Sequence, residues 1–399
     1  MSASLPYGRQ SIAADDLAAV LEVLQSAFLT NGPKIEEFEH QFAARVGAKH
    51  AIAVNSATSA LHLAMRSAGI GVGDRILTSP NTFLATANCA AYVGARPDFS
   101  DIDPVSHNLD PEALQKTWTS NVRAVIAVDY AGQPCDLPAI AGIAREKGAL
   151  VIDDASHAVG SAFMHEGGRW SLGGNPWADM TIFSFHPVKT MTTGEGGMLV
   201  TDNLKWATLA RKLRSHGVER RVFEGLGSSD PMLSEQGPWY YEMQALGYNF
   251  RLTDLQCALG ISQLRRLDDF IARRREIVGA YNTALAELEG LQIPGIRKPA
   301  VENEISWHLY TVEIDYKRIG KTRTRVMAEL GDRGVGSQVH YIPIYLQPWY
   351  RRQFGYQPGK CPTAESYYRR TLSLPLFPAM TSADVERVIE AVQAVMKEV

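Results

Sequence analysis

Through the first 250 residues, short apolar runs alternate with longer segments of helical periodicity. Residues 51–54 (AIAV), 75–80 (RILTSP), 124–132 (AVIAVDYAG) and 149–155 (ALVIDDA) read as strands. Between them, TSALHLAMRSAG, FLATANCAAYVGA and LPAIAGIAREKG repeat apolar residues at helical spacing. Such β-α alternation, with short apolar strands, predicts a mostly parallel sheet covered by helices. A further apolar run, Met180 to Phe185, ends in Lys189, two threonines and a glycine-rich bend (TTGEGG, 192–197) before a second apolar run begins.

The pattern changes after residue 252. Residues 252–290 carry long helical periodicity, apolar in the first half and charged in the second, and read as a connecting helix. Beyond it come an expected strand (HLYTVEID), a helix (RTRVMAELGDRG), a second strand (VGSQVHYIP, 335–343) and a closing helix after residue 381. The expected organisation is α/β: a large domain over 1–252 with a mostly parallel central sheet, and a connecting helix with a smaller C-terminal α+β domain over 253–399. The stretch 223–241, rich in Gly, Ser and Pro, reads as a long surface loop.

Composition narrows the partners. The 399 residues carry 40 basic and 43 acidic side chains, a formal charge of -3, so bulk electrostatics draw the chain to neither nucleic acid nor a membrane. No apolar run approaches the roughly 18 residues of a membrane span. The N-terminus lacks the pattern of a signal peptide. The four cysteines are scattered without a CxxC pair, which suits reduced thiols and a cytoplasmic protein.

Candidate chemistry sits at three strand ends, where ligands bind in open α/β sheets. At the first, Asn55, Ser56, Ala57, Thr58 and Ser59 join strand to helix. Small residues there let backbone N–H groups approach an anion, although Ser56 or Thr58 could simply cap the helix. At the second, Asp153 and Asp154 end a strand, and alternation lets only one face the crevice. Asp154 could cap a helix, join His157 and His186 at a metal, or hold the ring nitrogen of a cofactor. At the third, Lys189 is either a solvated surface lysine or a desolvated amine able to form a Schiff base. Gly194, Gly196 and Gly197 either turn the chain or let a bulky group come close. Anion cradle, acid and lysine together suit one ligand, pyridoxal phosphate, which needs all three.

NSATSAL (55–61), IDDASHAVGS (152–161), FSFHPVKTMTTGEGG (183–197) and LGYNFRLTDLQCALGISQL (246–264) resemble the DegT-type sugar-nucleotide aminotransferases of pyridoxal phosphate fold type I, the aspartate aminotransferase-like fold. LPYGRQSI, VDYAGQPCDL, WYYEMQALGYNFRL, VHYIPIY and AESYYRRTLSLPLFP resemble the branch of pseudaminic acid biosynthesis. The resemblance implies transfer of an amino group from L-glutamate to C4 of a UDP-linked 4-keto-6-deoxy sugar, with the cofactor held on Lys189. It implies Asp154 at the ring nitrogen, His157 near the phenolic oxygen, Phe83 stacked on the ring, and Ala57, Thr58, Ser59 and Ser184 at the phosphate. Without it, Phe83 reads equally well as a core aromatic. It further implies that Asn249 comes from a neighbouring subunit, so that a homodimer shares its active sites. Tyr7, Thr30, His340 and Tyr341 match positions that line the sugar-nucleotide site. A related branch acting on a D-configured keto sugar is similar.

Rival readings leave their own marks. A nicotinamide dehydrogenase needs a glycine fingerprint between strand and helix, and GIGVGD (69–74) lies between helix and strand instead. A metal-dependent hydrolase would use Asp154, His157 and His186. A desulfurase needs a reactive cysteine, for which Cys361 is the candidate.

Overall fold

The computed structural model describes residues 4–224 and 237–397. Most of the stretch read as a long loop, 225–236, therefore lies outside the described residues. In chain order the strands of the large unit are β1 (His50–Val54), β2 (Arg75–Thr78), β3 (Arg96–Phe99), β4 (Val122–Val128) and β5 (Leu150–Asp154). A small hairpin of β6 (Ala162–His165) and β7 (Gly168–Ser171) precedes β8 (Met180–Ser184) and β9 (Gly197–Thr201). Seven of these form one sheet in the order β1-β9-β8-β5-β4-β2-β3. Only β9 runs antiparallel to its neighbours; the rest is parallel.

Alternation along the strands builds a core on each face. Val125, Ala127, Val151 and Phe183 join one, while Ala124, Ile126, Ile152 and Ile182 join the other. The first is covered by α2 (Pro33–Val46), which follows α1 (Ala14–Leu24). The second is covered by α3 (Ala57–Ser67) and α4 (Ala85–Tyr92). After α5 (Pro111–Thr117), α6 (Leu137–Glu146) returns to the first face, and α7 (Leu204–Arg214) to the second. Phe183 and Phe185, which lead to Lys189, pack edge-on against Phe42 at 5.0 and 5.4 Å between ring centroids. Truncating a phenylalanine buried in this way costs about 3–5 kcal/mol, so the base of the lysine loop is firmly held.

The expected single connecting helix is two. After the short pair β10 (Val218–Glu219) and β11 (Glu242–Met243), α8 (Asp254–Arg265) starts at a capping box of Thr253 and Gln256 and stops at Arg266. Then α9 (Leu267–Leu285) begins, and its Ile271 lies in the large core while Ile277, Val278 and Tyr281 lie in a separate C-terminal core. That core holds a three-stranded sheet, β12 (Leu291–Gln292), β13 (Tyr310–Ile314) and β14 (Thr371–Leu374). Between β13 and β14 lie α10 (Arg323–Asp332), α11 (Pro348–Phe354) and α12 (Pro362–Arg370); α13 (Ser382–Lys397) closes the chain.

One expected strand is corrected. VGSQVHYIP makes only isolated bridges, Val335 with Leu5 and Gln338 with Ser373. Gly336 N–H bonds Leu5 O at 2.7 Å and Gln338 N–H bonds Ser373 O at 3.1 Å, so the segment divides its backbone between the N-terminal arm and β14 and forms no continuous strand. The arm is thereby anchored, and Leu376 N–H also bonds Tyr7 O at 3.0 Å. All four cysteines are free and buried. Among the described residues no helix is long and apolar enough to cross a membrane.

Candidate active site

A cleft of about 470 Å³ opens at the carboxyl ends of the parallel strands, between the two units. At its floor α3 presents its N-terminus. Ser56 is the N-cap, its Oγ accepting Ser59 N–H at 3.1 Å, so the capping reading holds for Ser56. Ser56, Ala57 and Thr58 line the cleft, and the N–H groups of Ala57 and Thr58 belong to the unpaired first turn of the helix. Ser59 departs from expectation. It does not line the cleft, and its hydroxyl is bonded to Asn55 Oδ1 at 2.6 Å because one helical step turns it inward.

Gly197 opens β9 directly behind this turn, where a Cβ would overlap the backbone of Ser56 and Ala57. Gly197→Ala is therefore expected to push the turn outward and weaken retention of a phosphate ligand roughly tenfold or more, read by titrating cofactor-free protein with pyridoxal phosphate. Gly194 makes the bend itself, at φ +79°.

Of the paired acids, Asp154 faces the cleft and Asp153 is fully buried in the sheet. Asp154 Oδ2 accepts a hydrogen bond from Thr86 Oγ1 at 2.7 Å, and Thr86 is in turn bonded to Thr82 at 2.8 Å. Ser156 N–H reaches Asp154 Oδ1 at 3.3 Å. These contacts orient a carboxylate that is only 3% exposed.

Lys189 rises opposite, at the end of the loop after β8. Desolvation lowers its pKa to about 8, against the attraction of Asp154, which raises it. Among the described residues Nζ makes no hydrogen bond or ion pair. Lys189 is half-buried and lines the cleft, so the solvated-surface reading fails on its position.

Three histidines close the side toward the C-terminal unit. His157 Nδ1 accepts Ala131 N–H at 3.3 Å, and Nε2 lies 3.1 Å from Tyr341 Oη. Burial holds it neutral, well below its ordinary pKa, with Lys189 adding to the effect. His340 Nδ1 bonds Ser373 Oγ at 2.7 Å, and burial lowers its pKa to about 3. Its ring sits 5.3 Å from that of Tyr7, which the hydrogen bond from Leu376 N–H also holds in place. The sequence pattern did not single out His308, which packs 4.5 Å from His157 with Nδ1 buried and unpartnered. Nor did it single out Thr86. His308 falls at the start of a recognisable strand, but nothing local marks it as facing a cleft.

Phe83 lines the cleft and is 57% exposed, so it is no core aromatic. Ser184 also lines it. Thr30 and Asn249 do not: both are exposed, Thr30 between α1 and α2 and Asn249 beside Asn55, whose Nδ2 is 3.5 Å from Asn249 O. His186 shares the cleft with Asp154 and His157, yet no group of His, Cys, Asp and Glu among the described residues is arranged to hold a metal. Cys361 is buried, and desolvation raises its pKa, which is unlike a reactive thiol.

The cleft fits pyridoxal phosphate. An uncommitted, desolvated amine, an oriented carboxylate, an open helix N-terminus and glycine backbone behind it match the aldehyde, ring nitrogen and phosphate of that cofactor.

Comparison with known proteins gives the same answer. The family model of the DegT/DnrJ/EryC1/StrS aminotransferase family matches residues 10–393. The spore coat polysaccharide biosynthesis protein SpsC of Bacillus subtilis (strain 168) is 44% identical over 396 residues, covering 98% of this chain and 97% of that protein. Among solved structures, Helicobacter pylori PseC, an aminotransferase involved in the biosynthesis of pseudoaminic acid, superposes with a TM-score of 0.88 at 30% identity, over 99% of this chain and 100% of that one. The PLP-form of the putative sugar aminotransferase Spr1654 from Streptococcus pneumoniae has a TM-score of 0.87 at 26% identity, covering 99% of each chain. With the cleft's chemistry and near-complete coverage in agreement, the chain belongs to the DegT/DnrJ/EryC1/StrS aminotransferase family and is a pyridoxal phosphate-dependent sugar aminotransferase.

Proposed function

We infer that the enzyme moves the amino group of L-glutamate to C4 of a UDP-linked 4-keto-6-deoxy-N-acetylhexosamine, UDP-2-acetamido-2,6-dideoxy-β-L-arabino-hexos-4-ulose, in the cytoplasm. The observation that carries this reading is the pairing of the lysine-acid cleft with a whole-chain likeness to PseC at 30% identity. The likeness to SpsC supports the coarser part, a sugar destined for a surface polysaccharide. Neutral histidines and tyrosines on the wall facing Lys189 suit sugar hydroxyls and a keto oxygen.

Pyridoxal phosphate supplies an electron sink for the charge left when a proton leaves carbon. Lys189 Nζ anchors the cofactor at its aldehyde. The free amine Nζ would take the proton from the α-carbon of glutamate and, in the second half of the cycle, deliver one to C4 of the sugar. Asp154 would hold the ring nitrogen, with Thr86 fixing the carboxylate. His157, kept neutral, would serve the phenolic oxygen. The Ala57 and Thr58 N–H groups, with Ser184, would hold the phosphate, and Phe83 would cover the ring. Tyr7, Thr30, His340 and Tyr341 bind the sugar nucleotide.

A second copy of the chain completes the site. Leu17, Leu21, Leu24 and Phe28 of the α1 region are each more than half exposed, an apolar surface that suits a homodimer interface. Thr30 follows that surface in the chain, and Asn249 is likewise exposed, as expected of groups offered to a neighbouring subunit.

The test is direct. Purified enzyme is given glutamate and then, separately, each C5 epimer of the UDP-linked 4-keto sugar. The L-arabino epimer is expected to return the cofactor's visible absorbance at least about tenfold faster than its D-configured counterpart, since a site built for one pattern of hydrogen bonds rejects the other. Faster turnover of the D-configured sugar would assign the enzyme to that neighbouring branch.

A further inference from the structure

On the face of the sheet opposite Asp154 lie two more carboxyl groups. Asp153 belongs to β5, and Asp129 follows the last residue of β4. Ala127 is the register partner of Asp153, so Asp129, two residues further on, projects to the same face. Both residues are 0% exposed, and the charge of each carboxyl acts on the other. Asp129 Oδ1 accepts Cys135 N–H at 2.7 Å. Asp129 Oδ2 and both oxygens of Asp153 are buried without a hydrogen-bond partner among the described residues. Two adjacent carboxylates without a cation are not stable in such a place, because desolvation and mutual repulsion add. One proton between them removes the repulsion and pairs one oxygen of Asp129 with one of Asp153.

The pair also closes a turn that packs behind the histidines of the cleft. Asp129 begins the bend through Tyr130, Ala131 and Gly132, and its side chain ties back to Cys135. Ala131 has φ +58°, and a Cβ at Gly132 would collide with Ser306 O, so the bend is tightly confined. From it Ala131 N–H holds His157, Ala131 O accepts His308 N–H at 2.8 Å, and Tyr130 Oη donates to His340 O at 2.8 Å. The backbone of Asp129 itself bonds Asp154 O at 3.2 Å.

We propose that Asp129 and Asp153 share one proton and act as a positioning pair that holds the 129–135 turn, and through it His157, His308 and His340, in the cleft. Thr181 from β8 and Cys135 from the turn face the pair, and the charge of Asp154 acts on it from the other face of β5. Burial and mutual charge raise the proton affinity of both carboxyls. The native pair thus keeps a proton that an unfolded aspartate gives up near pH 4, so its stabilising contribution is complete below that value and is lost as pH rises toward the pair's own ionisation. The sharing is independent of the cleft's function; the positioning role rests on the proposed place of His157 near the cofactor.

Asp153→Asn keeps the shape and donates an N–H to Asp129 with no proton to lose. In thermal denaturation of holoenzyme and of cofactor-free protein from pH 5 to 9, the Tm of Asp153→Asn minus that of wild type is expected to grow by roughly 2–4 °C as pH rises. Parallel curves would overturn the shared proton. Asp153→Leu removes the partner and leaves Asp129 unpaired. In that variant the pH at which bound pyridoxal phosphate changes its visible absorbance is expected to shift by about half a unit or more, with Asp153→Asn restoring it. A folded Asp153→Leu protein with the wild-type spectral titration would overturn the positioning role. If that variant does not fold, the same titration on Asp153→Asn and Asp129→Asn decides, both being expected to match wild type; a shift in either overturns it.

Discussion

Replacing Lys189 by alanine is expected to abolish turnover, by at least about 10⁴-fold, and to leave the purified protein without the visible absorbance of bound cofactor. The reason is the state of the amine. Burial brings its pKa to about 8, so that near pH 7 about a tenth of it is neutral, against well under a thousandth for an ordinary lysine. Among the described residues it has no competing hydrogen bond or ion pair. No other cleft residue offers such an amine, and His186, three residues earlier, is exposed. Arginine at this position would keep the charge but could not become a neutral nucleophile, so Lys189→Arg should be as inactive as Lys189→Ala. Release of 2-oxoglutarate from glutamate, with an absorbance scan, measures both losses. In wild type, capture of pyridoxal phosphate by cofactor-free protein should speed up with pH and level off above about 8. Full turnover by either variant would remove Lys189 from the reaction.

Asp154→Ala is expected to slow the glutamate half-reaction by about 10²–10³-fold, the cost of losing an oriented, charge-assisted hydrogen bond in a buried place. Asp154 is worth this much because Thr86 and Ser156 already hold it in position. Asp154→Asn separates charge from shape: the amide can still meet Thr86 but cannot stabilise a protonated ring nitrogen. Asp154 also supports the protonated form of Lys189, raising its pKa against burial. Without that charge the lysine pKa falls further, and the pH profile of cofactor capture in Asp154→Asn should move to lower pH than in wild type. A profile moving upward, or an Asp154→Ala half-reaction within threefold of wild type, would contradict the assignment.

The strand ends were legible because their signals are local. An apolar run followed at once by Asp154, or by Lys189 and a glycine bend, states both the strand and what its end presents. The same holds for the Ser56–Thr58 turn, where small residues precede a helix. What stayed hidden depends on partners remote in sequence. Thr86 reaches Asp154 across 68 positions. His308 enters the cleft only because its backbone docks on the turn at Ala131. Ser59 looked like part of the cradle, but its rotation about α3 gives its hydroxyl to Asn55. VGSQVHYIP carries strand-like residues, yet its backbone is divided between the N-terminal arm at Leu5 and Ser373 of β14, a pairing that no periodicity reveals.

The sequence by itself determined the alternation of strands and helices, the parallel sheet, and the placing of Lys189, Asp154 and a small-residue turn at strand ends, because each rests on neighbours along the chain. Only the tertiary structure decided which aspartate of the pair faces the cleft, how far burial lowers the lysine, and which histidines are held neutral around it. Desolvation and hydrogen bonding depend on what surrounds a group in space, and here much of that surrounding comes from segments more than a hundred residues away, brought in by the second core.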